Sequence, residues 1–453
     1  MSRLKSPPGS SGRFLVGNTF QYIANPLGFL TQASRDYGDV VRLRLGLLDY
    51  IVVGHPDLIS QVLREQQSNL MKDKLTRIMS PVLGNGLLIS EGEFWRRQRR
   101  LAQSAFQHQQ IVRYGQVMVE YTERLLSSWH DGVSLDVHQA MMGLTLAIVA
   151  KTLFGANVEE QTRDVGEALE ILMDYYLKPT RWFRIREWIP TRGTRRFWGA
   201  SRRLNEIVYS IIRDRRAVGN GEDDLLSRLL SALDDEGSGM TDRQLRDEVV
   251  TLFLAGHETT ALVLLYALVL LARHPEAEAR LMEEIDEVLG DRPPQASDLS
   301  RLSFTDWVVK ETMRLYPPAW AIGREALVDF QLGEYTIPKG TQLLLCQWSV
   351  HRDPRWFEEP DRFVPERWDH DLLKRLPRGA YFPFGDGPRI CIGNHFAMME
   401  ATLLLASIVR QFRLRLTSDA PLEFLPSITL RPKSRIRMII QKREASHPSP
   451  SSY

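Results

Sequence analysis

The chain has 453 residues, 43% of them hydrophobic, with a net charge of +2 and only two cysteines. That length and apolar fraction support a large core, and the near-neutral charge gives no argument for a nucleic-acid partner. Cys346 and Cys391 lie far apart in different contexts, which is no disulfide framework, so a reducing compartment, the cytoplasm, is expected.

Residues 1–19 contain Pro7-Pro8-Gly9-Ser10-Ser11-Gly12 and read as a flexible lead-in, with no apolar run of signal-peptide or membrane-anchor length. One domain is expected over 20–444. Val40–Leu45 and Tyr50–Val53 read as a strand pair around Gly46, followed by an amphipathic helix after Pro56. Helical periodicity recurs at about 92–107, 110–130, 137–154, 160–177 and 199–216. Short strand patterns return at 331–332, 335–337, 342–345 and 435–440, and 445–453 reads as a disordered tail. The expected class is mainly α with small β-sheets, an α+β protein that is roughly half helix.

The longest helix pattern starts at Thr241. Thr241 and Gln244 form a capping box, and the apolar run from Val249 to Leu271 predicts a helix through the interior. It is broken by Ala255-Gly256-His257-Glu258-Thr259-Thr260, polar groups that are costly in a core unless paired. A zinc-protease reading fails because position 261 is Ala where a second histidine is needed. Threonines bonding back to carbonyls one turn earlier would be the plain account.

Phe384-Gly385-Asp386-Gly387-Pro388-Arg389-Ile390-Cys391-Ile392-Gly393 sets one cysteine in a glycine-rich loop before the helix pattern at about 394–412. Helix N–H groups and the helix dipole there favour an anion. Three readings stand: a buried structural cysteine, a nucleophile with a base such as His395, or an axial thiolate for haem iron.

The loop resembles the haem-binding loop of the cytochrome P450 family, FxxGxRxCxG. That resemblance implies the P450 fold, with a long central helix over haem b. It makes Cys391 the iron ligand, Arg389 a propionate partner, and Phe384 and Gly393 part of the ligand loop. The polar break resembles [AG]Gx[DE]T. Gly256 would then let the backbone pass close to the macrocycle, Thr259 would hydrogen-bond the oxygen being activated or a water, and Glu258 would relay protons. Glu311-Thr-Met-Arg314 resembles ExxR and Phe363-Val-Pro-Glu-Arg367-Trp368 the PER segment, implying a buried triad of Glu311, Arg314 and Arg367. Trp95 and Arg99 resemble WxxxR and, with Arg324, are assigned to the propionates.

The resemblance also implies an apolar pocket. Its lining would be Leu75, Ile78, Met79, Val82 and Leu87, then Phe253, Leu254 and Ala255, then Ala319, Trp320, Ala321 and Ile322, with Ile428 and Thr429 closing it. Trp320 would shorten the cavity. Tyr175–Trp198, with Trp182, Phe183 and Trp188, maps onto the family's mobile lid, where membrane contact is one reading and a packed helix pair another. The expected function is O2-dependent monooxygenation of an apolar substrate, a fatty acid first and a terpenoid or steroid second. A haem sensor without turnover is a different class. No redox domain follows the loop, so electrons are expected from a ferredoxin or flavodoxin with its reductase, docking beside Arg96, Arg97 and Arg100.

Overall fold

The structure is a computed structural model that describes residues 5–103, 106–155, 159–176, 191–218, 224–233 and 237–443. Its centre is the helix Asp242–Arg273. Thr241 Oγ1 accepts from Gln244 N–H, and the Gln244 side chain accepts from Thr241 N–H at 2.8 Å, so the capping box forms. Around this helix pack Val137–Phe154, Arg192–Val218, Ser303–Leu315 and Asn394–Gln411. Gly155 in the left-handed region (φ 59°) ends the first of these. Asp242–Arg273 and Val137–Phe154 are long and apolar enough to cross a bilayer, but both are mostly buried inside the protein.

A six-stranded sheet lies to one side, in the order Gly9–Ser10, Val40–Leu45, Leu48–Val53, Gln342–Leu345, Ile322–Ala326, Leu70–Met71. Alternation divides its faces. Val40, Ile51 and Val53 join one apolar cluster, and Val41, Leu43 and Val52 join another. The strand pair stands where the sequence pattern puts it, with Val40 opposite Val53.

Two expectations change. Residues 5–19 are not a loose lead-in: Gly9 and Ser10 pair in parallel with Arg42 and Leu43, and Lys5 bonds Glu334. Trp320, expected to line the pocket and shorten it, is buried elsewhere. It packs with Tyr22, Leu30 and Val52 beside the sheet and donates its indole N–H to the Ser427 carbonyl at 2.8 Å. A buried indole goes where its one donor finds a partner. The lid residues Trp182, Phe183 and Trp188, and the tail 445–453, lie outside the described residues. The flanking helices Glu159–Tyr176 and Arg192–Val218 pack as a pair, joined by the Tyr175–Phe197 ring contact at 4.2 Å.

Candidate active site

The cysteine loop is shaped by two glycines. Gly385 and Gly387 take positive φ (73° and 70°), and a Cβ on Gly387 would lie 2.2 Å from the Leu63 carbonyl oxygen. Gly393 has no such need: its φ is −93° and its nearest obstacle is 3.6 Å away. It acts as the cap of Asn394–Gln411, and its N–H points at the cysteine sulfur. Cys391 N–H donates to Phe384 O at 2.9 Å, which folds the loop back on itself.

Cys391 is a free thiol and exposed, so it is neither a buried packing residue nor half of a disulfide. Burial of its surroundings still pushes the thiol up, opposed by the Gly393 N–H and by Arg99. Helix geometry alone therefore does not make it a thiolate, contrary to the expectation from sequence. A bound cation would, because metal coordination deprotonates a thiol outright. The charged group acting on the sulfur is Arg99, and His395 stands exposed on the helix.

Cations crowd the same region. Arg389 donates to Ser90 O at 2.8 Å, pairs with Glu91 and stacks 4.2 Å over Trp95. Arg99 lies 5.9 Å from that same ring. Arg324 is buried and lowered to about 10, by desolvation first and then by Arg389. Lys72, which no motif marked, is pushed well below its usual value by burial and by Arg324 and Arg389. Glu91 and Asp73 are the carboxylates acting on this group. Buried like charges are costly unless an anion joins them. The two propionates of haem b fit this cluster, and Cys391 fits as its single protein ligand.

The central helix supplies the other wall. From Val249 to Leu271 every residue is buried except Ala255, Gly256 and Thr259. Ala255 and Thr259, four apart, share one face, and Thr259 Oγ1 donates to Ala255 O at 2.8 Å. The plain account of that threonine is thus correct in geometry, and its oxygen still offers lone pairs to a guest. Gly256 is explained differently from the expectation. A Cβ there would lie 3.0 Å from Val149 Cγ2, so the glycine admits the neighbouring helix. Phe253 turns away from the open face and packs on Phe154, rings 4.4 Å apart, and Leu254 is buried in the same core. Ile78, Met79, Val82 and Leu87 are buried, whereas Leu75, Ala319, Ala321, Ile322 and Ile428 keep partial exposure, as lining residues do.

Glu258 points away from Thr259 into a buried ion pair. One oxygen accepts from Thr429 Oγ1 at 2.6 Å and from Arg431 Nε, and Arg431 also bonds Asp174 at 3.0 Å. Burial raises its pKa, but the Arg431 bond and charge outweigh this and hold Glu258 below the usual carboxylate value. Thr429 is therefore a partner of Glu258. Asp174 is half exposed, so Glu258–Arg431–Asp174 runs from the helix interior to solvent. The other Glu258 oxygen is buried without a partner.

The supporting triad forms as the resemblance implied. Glu311 accepts two bonds from Arg314 (2.8 and 2.9 Å) and one from Arg367 (2.9 Å), and Arg314 is fully buried. Trp368 adds an indole N–H to Glu311 at 3.0 Å, and Arg314 also donates to the His351 and Arg362 carbonyls. On the basic helix Gly92–Gln103, Arg97 is tied to the Ser238 and Gly239 carbonyls, while Arg96 and Arg100 are exposed.

The family model described as Cytochrome P450 matches residues 7–439. Cyclooctat-9-en-7-ol 5-monooxygenase of Streptomyces melanosporofaciens is 40% identical over 88% of both chains. Pentalenene oxygenase of Streptomyces avermitilis is 35% identical over 95% of this chain and 96% of its own. Among solved structures, the heme domain of cytochrome P450DA superposes with a TM-score of 0.87 at 28% identity, covering 98% of this chain and 99% of that one.

Proposed function

We propose, from the premise that this chain belongs to the cytochrome P450 family and is a haem monooxygenase, that its substrate is a polycyclic terpenoid. When bound, haem supplies O2 activation and the insertion of one oxygen atom into an apolar substrate. The protein's part would be to ligate the iron through Cys391, to pair the two propionates with Arg389, Arg324, Arg99 and Lys72, and to present Thr259 and Ala255 on the open face of the central helix. Thr259 orients the water or oxygen it meets, and Glu258, turned from it into the ion pair with Arg431, belongs to the polar chain that reaches solvent at Asp174.

The terpenoid, second choice from sequence, moves ahead of the fatty acid. The observation that carries it is 40% identity over 88% of the chain to an oxygenase named for cyclooctat-9-en-7-ol, with pentalenene oxygenase beside it. The test is a spin-state titration of the holoenzyme with sesqui- and diterpenes, fatty acids and steroids. Low-spin to high-spin conversion by cyclic terpenes at concentrations where fatty acids leave the spectrum unchanged supports the reading. The reverse order replaces it with the fatty acid.

For electrons, a ferredoxin or flavodoxin with its reductase remains the proposal, supported by exposed Arg96 and Arg100 near the cysteine loop. Arg97 is a poor probe, since it holds the 238–239 backbone. Two free cysteines support a cytoplasmic location. The single catalytic unit expected over 20–444 takes in the strand Gly9–Ser10 as well, since that strand pairs in the six-stranded sheet.

A further inference from the structure

Glu258 is joined to solvent by Arg431 and Asp174, yet that chain cannot deliver a proton. A guanidinium keeps its protons in a protein, so Arg431 balances the charge of Glu258 without passing anything on. It also occupies only one carboxylate oxygen, the one that accepts from Thr429 as well. The other, Oε2, is buried and makes no hydrogen bond among the described residues. A carboxylate that relays protons needs a neighbour able to release one near neutral pH.

His138 is such a neighbour. It stands in the first turn of the helix Val137–Phe154, which Asp136 caps by accepting from Gln139 N–H at 3.2 Å. His138, Thr145 and Val149 lie seven and four residues apart, so they share one helix face. That face meets the polar break of the central helix. Thr145 Oγ1 donates to His257 O at 2.8 Å, and Val149 packs against Gly256. The ring of His138 spans surface and interior: the residue keeps partial exposure, while its Nε2 is buried and has no partner among the described residues.

The groups acting on His138 come from three elements. Burial lowers its pKa first and Arg431 next, His257 adds to this, and Glu258 and Asp136 oppose it. A histidine weakened as a base is a stronger acid, which narrows the gap to the carboxylate. The two buried atoms without partners are also complementary, since an imidazolium N–H donates and a carboxylate oxygen accepts. Buried polar atoms of this kind are satisfied by ordered water.

We propose that His138 is the proton donor to Glu258. The proton leaves His138 Nε2, crosses through water and arrives at Glu258 Oε2. The imidazole left neutral takes its next proton from solvent, and no electron moves in this exchange. Arg431 and Asp174 keep Glu258 in place and ionised between transfers. The role rests on Glu258 serving as an acid of the site, as proposed above.

The experiment follows the ring signals of carbon-13-labelled histidines in the reduced carbon monoxide form of the holoenzyme, with His138 identified by the signal that His138→Gln lacks. In Glu258→Gln the titration of His138 should move to lower pH, because a charge that favours the imidazolium is gone. A titration that does not move overturns the proposal. Turnover supplies the second readout, with the compound that gives the fullest spin-state conversion in the titration above. His138→Phe should lose several-fold in product formed per NADPH, and added imidazole should restore part of it. His138→Gln keeps a polar group but cannot titrate, and it should be as uncoupled as His138→Phe. Wild-type coupling in either variant, with Glu258→Gln uncoupled, overturns the role of His138 alone. Wild-type coupling in Glu258→Gln overturns the reading of Glu258 and this role with it.

Discussion

Arg431→Met removes the cation that keeps Glu258 ionised. Both side chains are buried, at 1% and 9% exposure, and the change also takes one of the two hydrogen bonds on that Glu258 oxygen. Leaving one member of such a pair uncompensated costs about 3–5 kcal/mol. The pH dependence should change sign. In wild type Glu258 sits below its usual value, so its contribution is present above the unfolded pKa and is lost as pH falls through the folded one. In Arg431→Met desolvation is opposed only by Thr429 and His257, the folded pKa rises, and stability instead falls as pH rises. Denaturant unfolding of the holoenzyme across the acid-to-neutral range measures both effects. Glu258→Gln/Arg431→Met should recover most of the loss, since no buried charge remains. Arg431→Met within about 1 kcal/mol of wild type near neutral pH, or a double variant weaker than the single one, would refute the ion-pair account.

Thr259→Ala should keep haem and the fold but divert reducing equivalents to peroxide, read as NADPH consumed per product, while Thr259→Ser should retain coupling; tight coupling in the alanine variant removes the role given to the hydroxyl. Glu400 is fully buried and raised to about 8 by desolvation, which the neighbouring Thr260 hydroxyl offsets only in part. Its neutral form stabilises the protein at low pH, and that contribution fades from 4.5 to about 8 by on the order of 1 kcal/mol per unit, a slope that Glu400→Gln should flatten in thermal melts. Glu311→Gln leaves Arg314 buried without its counter-charge and should cost about 3–5 kcal/mol, seen as lost haem occupancy and early unfolding; near-wild-type stability would show the triad to be dispensable.

What could be read from the chain was local chemistry. The cysteine loop, the capping box at Thr241 and the Glu311–Arg314 spacing each declare themselves within a few residues. The direction of a side chain is decided by distant partners, and there the sequence misled or was silent. Trp320 follows its indole N–H to Ser427, Phe253 follows Phe154, and Thr429 turns to Glu258. Lys72 joins the propionate cluster only because the strand Leu70–Met71 pairs with Ile322–Ala326. Arg431 had a readable signal: an arginine inside the apolar strand Leu430–Pro432 must find a carboxylate, and the buried Glu258 was in need of a cation. Gly256 shows the opposite hazard, since a motif glycine can serve helix packing.

The central claim is that Cys391 holds haem iron through its thiolate. The reduced carbon monoxide difference spectrum tests it on the purified holoenzyme and on Cys391→Ala. Wild type should give a Soret band at the thiolate-ligated position, and the alanine variant should lose that band. A thiolate-type band that survives in Cys391→Ala, or a wild-type band at the position of histidine-ligated haem, would contradict the account.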